Sequence, residues 1–284
     1  MKISEDLKRM IARTLQEDAA HKDVTSKLLF PVHHVSTGVI VVKEKAVLCG
    51  LNIARHVFQY LDKTVRFQSP YKDGQKVARN TPVATVRGKT RSLLAGERTA
   101  LNVLGYLSGI ATLTDRFVQK AGRRKVKILD TRKTTPGMRM LAKYAVRCGR
   151  GHNHRCDLNQ HILLKDNHLK ACASQLTIFQ AIQRVRQKTK KKIEVEVDTL
   201  AQFREALTAR PDMILLDNMS CAQLKKAVNL AKKCSIKNRP QLEASGGINL
   251  SSVAAVAKTG VDRISVGSLT HSSKAINVSF EILN

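Results

Sequence analysis

Tryptophan is missing from the 284-residue chain, and Phe and Tyr bring the aromatic share to only 4%. Flat π surfaces on which single-stranded nucleic acids stack are therefore scarce, which argues against a dedicated nucleic-acid binder. No run of 18 apolar residues occurs, and the opening MKISEDLKRM carries acids where a secretory leader has cations followed by an apolar stretch. A cytoplasmic protein with no membrane partner is expected. The six cysteines (Cys49, Cys148, Cys156, Cys172, Cys221, Cys234) include no CxxC pair and are spread over a long chain. That is unlike the dense framework of a small secreted domain, and reduced thiols are expected. Acids are few as well: 22 Asp and Glu stand against 50 Lys and Arg, a formal net charge of +28.

What is present points to an ordinary globular chain, long enough for two domains or for one β/α barrel with an extension. The positive balance favours polyanionic partners without choosing among them. Two cationic runs, Arg123-Arg124-Lys125 and Lys188 to Lys192, border expected strands and read as solvated helix ends and turns. Cations also concentrate between Asp130 and His168, where Arg132, Lys133, Arg139, Lys143, Arg147, Arg150, His152, His154, Arg155, Lys165 and His168 alternate with apolar runs. That is more positive charge than one solvated helix face needs, and an anionic ligand is expected there.

Along the chain, Ser4 can cap a first helix with Leu7, Met10, Ile11 and Leu15 on its apolar face. From Val35 to about Arg87 short β-rich runs surround a helical Leu51 to Leu61 and a turn at Asp73-Gly74. Ser92 to Ala121 reads as helix with a break near Gly109, a natural hinge. Beyond it, KVKILD, HILLKDN, KIEVEVD, DMILLDN, QLEASGG and DRISVGS are each followed by a helix-compatible segment, such as Leu176, Phe179, Ile182 and Val185, or Leu224, Val228 and Leu230. Six such units predict parallel strands. Each apolar run ends in polar residues or glycine: Asp130, Lys165, Glu196 with Asp198, Asp217, Ser245-Gly246-Gly247, and Gly267-Ser268. In a β/α barrel these ends converge at one mouth, whereas a doubly wound sheet would bring them to a crevice.

The glycines after the last two strands suit a phosphate cradle, because backbone N–H groups can approach an oxygen there. Glu196 and Asp217 offer hard oxygen ligands that suit a magnesium ion shared with a phosphate; an internal salt bridge to Lys165 or Lys133 is the alternative. Cys148, His152, His154 and Cys156 look like a zinc cluster, but Arg147, Arg150 and Arg155 among them oppose a divalent ion and the spacing matches no usual zinc pattern. Arginines beside histidines instead suggest a rigid dicarboxylate or a phosphate.

The ordered blocks GERTALNVLGYLSGIAT, DTRKTTPGMRMLAKYAVRCG, GHNHR, ILLKDNH, EVEVD, ILLDN, EASGGIN and TGVDRISVGSLTHS closely resemble the quinolinate phosphoribosyltransferase family, over nearly the whole chain. The resemblance implies an α/β protein with an N-terminal α/β sandwich domain over 1–112, rejoined by 273–284, and an incomplete, open β/α barrel of about six parallel strands over 113–272. It implies transfer of the phosphoribosyl group from phosphoribosyl pyrophosphate to quinolinate with decarboxylation, giving nicotinate mononucleotide, pyrophosphate and carbon dioxide in NAD biosynthesis, with magnesium as cofactor. By matching position, Arg98, Arg132, His154, Arg155 and Lys165 hold the quinolinate carboxylates. Lys133 and Lys165 face the pyrophosphate, Glu196 and Asp217 the magnesium and ribose hydroxyls, and Ser245, Gly246, Gly247 and Gly267 the 5′-phosphate, with His271 near it. Lys133, Lys165, Glu196 and Asp217 are the implied catalytic set. A homodimer is implied in which Arg98 reaches the neighbouring active site. Two departures, Arg150 in a run that is usually all glycine and Asn159-Gln160 for a common Ser-Asp, bear on loop conformation.

Overall fold

The computed structural model describes residues 4–122, 126–172, 176–233 and 239–283. The Arg123-Arg124-Lys125 run and Cys234 lie outside the described residues. The backbone clusters into two compact units, one formed by 1–113 with 147–150 and 273–284, the other by 114–146 with 151–272.

In the first unit, helix α1 (Glu5–Glu17) starts where Ser4 Oγ accepts the Leu7 N–H and buries Leu7, Ile11 and Leu15. A short α2 (Val24–Leu29) precedes strands β1 (Val35–Val42) and β2 (Ala46–Val47). Helix α3 (Leu51–Leu61) is followed by β3 (Arg66–Gln68), β4 (Lys76–Val77) and β5 (Thr81–Lys89). The turn at Asp73-Gly74 has a structural use: Asp73 Oδ1 accepts the N–H groups of Gly50 and Leu51 and caps α3. Helix α4 (Thr90–Ala121) closes the N-terminal part as a single unbroken helix.

The break expected near Gly109 is therefore absent, and its glycines serve another end. A Cβ on Gly105 would come 2.7 Å from the Ile276 carbonyl oxygen, and one on Gly109 would collide with the carbonyl oxygen of Lys274. Here glycine lets a neighbouring backbone lie directly on the helix, an advantage that outweighs its roughly 1 kcal/mol helix penalty.

The second unit repeats strand and helix: β6 (Lys127–Leu129), α5 (Arg139–Cys148), β7 (Ile162–Leu164), α6 (Asp166–Ala171), α7 (Ile178–Arg186), β8 (Ile193–Val197), α8 (Leu200–Ala209) and β9 (Met213–Asp217). It continues with α9 (Cys221–Lys233), β10 (Gln241–Ser245), α10 (Val253–Ala257), β11 (Arg263–Ser265) and α11 (Ser268–His271). On α7 the buried residues are Ile178, Ala181 and Ile182, while Phe179, expected on the apolar face, is 42% exposed. The chain ends in β12 (Val278–Leu283), which pairs antiparallel with β1 and completes the first unit's four-stranded sheet, ordered β12-β1-β5-β3.

The six strands of the second unit are parallel in the order β6-β11-β10-β9-β8-β7. Each strand from β7 to β11 lies beside its successor, and β11 lies beside β6. This is the circular order of a barrel with its seam left open between β6 and β7, not the reversing order of a doubly wound sheet. Near the seam, His152 forms an isolated parallel bridge with Leu129.

Candidate active site

Residues two apart on these strands share a face, and one face carries the polar side chains. Leu163 and Lys165, Leu215 and Asp217, and Glu243 and Ser245 line a single cavity with Glu196, Ser265, His154, Arg155 and the Thr131-Arg132-Lys133 segment after β6. Its volume is about 390 Å³. The alternate residues Ile193, Val195, Val197, Ile214, Leu216, Leu242, Ala244 and Ile264 are buried apolar groups.

Asp130, expected at the mouth, lies elsewhere. It is fully buried and ion-paired to the equally buried Lys143 of α5, and it accepts the His154 N–H at 2.9 Å and the Asn153 Nδ2–H at 3.0 Å. Lys143 Nζ also donates to the His154 carbonyl at 3.0 Å. A buried carboxylate persists only when its charge and lone pairs are met, and here they hold the 152–155 segment in place. Asp198 is exposed and does not line the cavity.

The cationic wall comes from Arg132 and Arg155. Burial pulls the Arg155 pKa down, and the nearby Arg132 charge lowers it further. Arg155 donates to the His161 carbonyl at 3.2 Å, whereas the buried Nε of Arg132 has no hydrogen-bond partner. Two guanidiniums side by side with a donor unused make a strong anion site. On the facing strands Lys165 is paired with Glu196, the internal bridge raised as an alternative for that carboxylate, and Asp217 accepts from Asn218 Nδ2 at 2.7 Å.

Next to this wall the backbone turns through Gly246 and Gly247, at φ +93° and +58°. A Cβ on Gly246 would lie 2.8 Å from the Asn218 nitrogen. A Cβ on Gly267 would meet His271 Nε2 at 3.0 Å and Lys133 Cδ at 3.4 Å, so Gly267, His271 and Lys133 are brought together. Thr270 Oγ1 fixes the Lys133 carbonyl at 2.7 Å. Arg98, in contrast, is exposed on α4 in the first unit and lines a groove there with Asn102 and Ala275.

The sequence reading missed the cavity floor. Glu194 and Glu243 are fully buried beneath His154, whose Nε2 lies 3.2 Å from Glu194 Oε2 and 3.3 Å from Glu243 Oε1. His161 Nε2 reaches Glu194 Oε2 at 3.0 Å, and Arg263 Nε lies 2.9 Å from Glu243 Oε2. The contacts of Glu243 are close ion pairs without hydrogen-bond alignment. His154 thus gathers with His161 and Glu194, and Cys148 with Cys49 and Asp73 of the first unit, in place of the Cys148, His152, His154, Cys156 grouping. A period-two signal was there to be read: Glu194, Glu243 and Arg263 stand two residues before Glu196, Ser245 and Ser265 in strands otherwise apolar.

Two family models match this chain, the quinolinate phosphoribosyl transferase N-terminal domain over residues 23–108 and its C-terminal domain over 110–281. The chain belongs to the quinolinate phosphoribosyltransferase family. It is 40% identical over 278 residues to a probable carboxylating nicotinate-nucleotide pyrophosphorylase of Bacillus subtilis, covering 97% of this chain and 93% of the relative. It is 38% identical over 275 residues to the carboxylating nicotinate-nucleotide pyrophosphorylase of Mycobacterium leprae, covering 96% and 95%. The nicotinate-nucleotide pyrophosphorylase structure from Francisella tularensis superposes with a TM-score of 0.92 at 38% identity, covering 99% of this chain and 98% of the other. Both domains of the quinolinate phosphoribosyltransferases are thus present, and the two matched ranges meet inside α4. Among the described residues no helix is long and apolar enough to cross a membrane.

Proposed function

We infer that the chain transfers the phosphoribosyl group of phosphoribosyl pyrophosphate to quinolinate with loss of carbon dioxide, forming nicotinate mononucleotide and pyrophosphate for NAD biosynthesis. The observation that carries this reading is the unpartnered Nε of Arg132, which lines one cavity with Arg155 and the carboxylates Glu196 and Asp217. A planar dicarboxylate fits the guanidinium wall, each charge-assisted bond contributing about 1.5–3 kcal/mol. The ribose hydroxyls fit the carboxylates, and the 5′-phosphate fits the loops of Ser245-Gly246-Gly247 and Gly267 with His271.

Lys133 and Lys165 face the departing pyrophosphate. The C1–O bond breaks with its electron pair leaving on pyrophosphate, and the pyridine nitrogen forms the new bond to C1. This chemistry needs position and charge more than a covalent nucleophile. The ring nitrogen is then cationic. When the adjacent carboxylate leaves, the C–C electron pair stays beside that positive charge until a proton from water replaces the lost group. Glu196 and Asp217, hard oxygen donors on adjacent strands, would hold a magnesium ion, which would supply neutralisation of the charge on the leaving group.

The deciding assay is carbon dioxide release from quinolinate by the purified chain, dependent on both phosphoribosyl pyrophosphate and magnesium. Release is expected; its absence with folded protein would overturn the reading. Supporting a homodimer in which Arg98 serves the partner's site, the Arg98 side chain is exposed on the first unit, where it lines a groove with Asn102 and Ala275. Mixing Arg98→Ala with Arg132→Ala chains is then expected to restore about one quarter of wild-type activity, since half the random dimers are mixed and each has one intact site. No recovery after verified subunit exchange would exclude the shared site. A cytoplasmic location is the reading that the scattered cysteines support.

A further inference from the structure

Arg139 belongs to the cationic stretch between Asp130 and His168, yet it does not line the cavity and no substrate role falls to it. It is the first residue of α5, in a first turn without acids. A helix N-terminus disfavours a cation, so its own helix does not explain it. The side chain is half-buried and donates to two neutral oxygens: Nε to Thr134 Oγ1 at 3.2 Å, and Nη1 to the Cys156 carbonyl at 3.3 Å. A guanidinium can hold two segments at once because its N–H groups diverge within one rigid plane.

The two acceptors flank the cavity's arginines. Arg132 stands two residues after Asp130 and two before Thr134, and Arg155 stands one residue after His154 and one before Cys156. Asp130 already ties the two stretches ahead of the arginines, by accepting the His154 N–H at 2.9 Å. Arg139 ties them again behind the arginines, so Arg132 and Arg155 each lie between two links. Each segment also has an anchor of its own: Thr270 Oγ1 fixes the Lys133 carbonyl at 2.7 Å, and the Cys156 N–H donates to Gln160 Oε1 at 2.7 Å. Those anchors fold each segment singly, and the bonds of Arg139 join one to the other.

We propose that Arg139 is a positioning residue for the dicarboxylate: it closes the second of two ties across the segments of Arg132 and Arg155 and so sets the spacing of their guanidiniums. It acts through its divergent donors, not through its charge. This rests on the reading of the cavity as a quinolinate site.

Arg139→Lys keeps the charge and loses the fork, whereas Arg139→Gln loses both. KM for quinolinate is expected to rise about fivefold or more in each variant, with kcat and KM for phosphoribosyl pyrophosphate within about threefold of wild type. A lysine variant with wild-type KM would make charge the effective property and overturn the proposal. Thr134→Val removes one acceptor without altering any charge and should raise the same KM, while Thr134→Ser, which keeps the hydroxyl, should not. Because Arg139 and Thr134 act as one unit, adding Thr134→Val to Arg139→Gln should cost nothing further; additive losses overturn the proposal. A second arm needs no turnover. Hydrogen exchange of the free protein, read by mass spectrometry over peptides spanning 131–138 and 154–161, should be faster in both segments of Arg139→Gln than in wild type. A change confined to one segment, or none, overturns the proposal. If the wild-type chain does not turn over quinolinate, the functional reading fails by itself, and the exchange arm still decides whether Arg139 joins the two segments.

Discussion

Arg132 and Lys143 were equal members of one cationic stretch, yet they end in opposite roles. Lys143 is buried against Asp130 and holds backbone in place, while Arg132 keeps a buried donor with no partner. Arg132→Lys is expected to lower kcat/KM for quinolinate about 100-fold while leaving KM for phosphoribosyl pyrophosphate nearly unchanged, because a point charge cannot replace a planar fork. Steady-state kinetics with each substrate varied in turn checks this. Glu194 gives a prediction of pH dependence. Burial by itself would raise its pKa, but the bonds from His154 and His161 outweigh that and hold it well below the ordinary carboxylate value of 4.5. A depressed folded pKa contributes stability that is fully present above the unfolded value and is lost as pH falls through the folded one. Urea unfolding between about pH 7 and pH 3 should therefore show a steeper loss of stability on acidification in wild type than in Glu194→Gln. Equal slopes would mean that Glu194 carries no such linkage.

Among the elements, α4 shows why glycine is ambiguous in sequence. Gly109 read as the site of a helix break, but both it and Gly105 are required by the backbone lying across the helix at 274–276. Gly109→Ala would improve helix propensity and is nonetheless expected to destabilise by about 1–3 kcal/mol, through overpacking against a carbonyl that has little room to move. A raised Tm would contradict this. Arg150 is the converse case. The resemblance set it in a run expected to be all glycine, and the structure holds it in the left-handed region at φ +67°, just beyond α5. The strands were legible as apolar runs with polar ends; which polar residues inside a run face the cavity was not. IEVEV presents two glutamates on one face and three apolar residues on the other, and only the barrel makes the first a floor and the second a wall.

For the whole molecule, a net charge of +28 matters more for encounter than for fold. Phosphoribosyl pyrophosphate is a polyanion, so its KM is expected to rise severalfold as ionic strength increases from about 50 to 500 mM, with kcat changing little, because the field that draws it in is screened beyond about 10 Å. A flat salt profile would confine the effective charge to the cavity. Family, the alternation of strand and helix, and the order of the cavity's polar strand ends all follow from the sequence by itself, because those signals are local or lie in contiguous blocks. Tertiary structure alone decided that Asp130 is a buried anchor, that α4 is unbroken, and that the cavity rests on Glu194, Glu243 and Arg263. Each of those outcomes depends on which distant group supplies a counter-charge, a hydrogen bond or a closely packed backbone. A linear pattern of residue types shows that such a partner is needed, and the barrel's circular strand order determines which one it is.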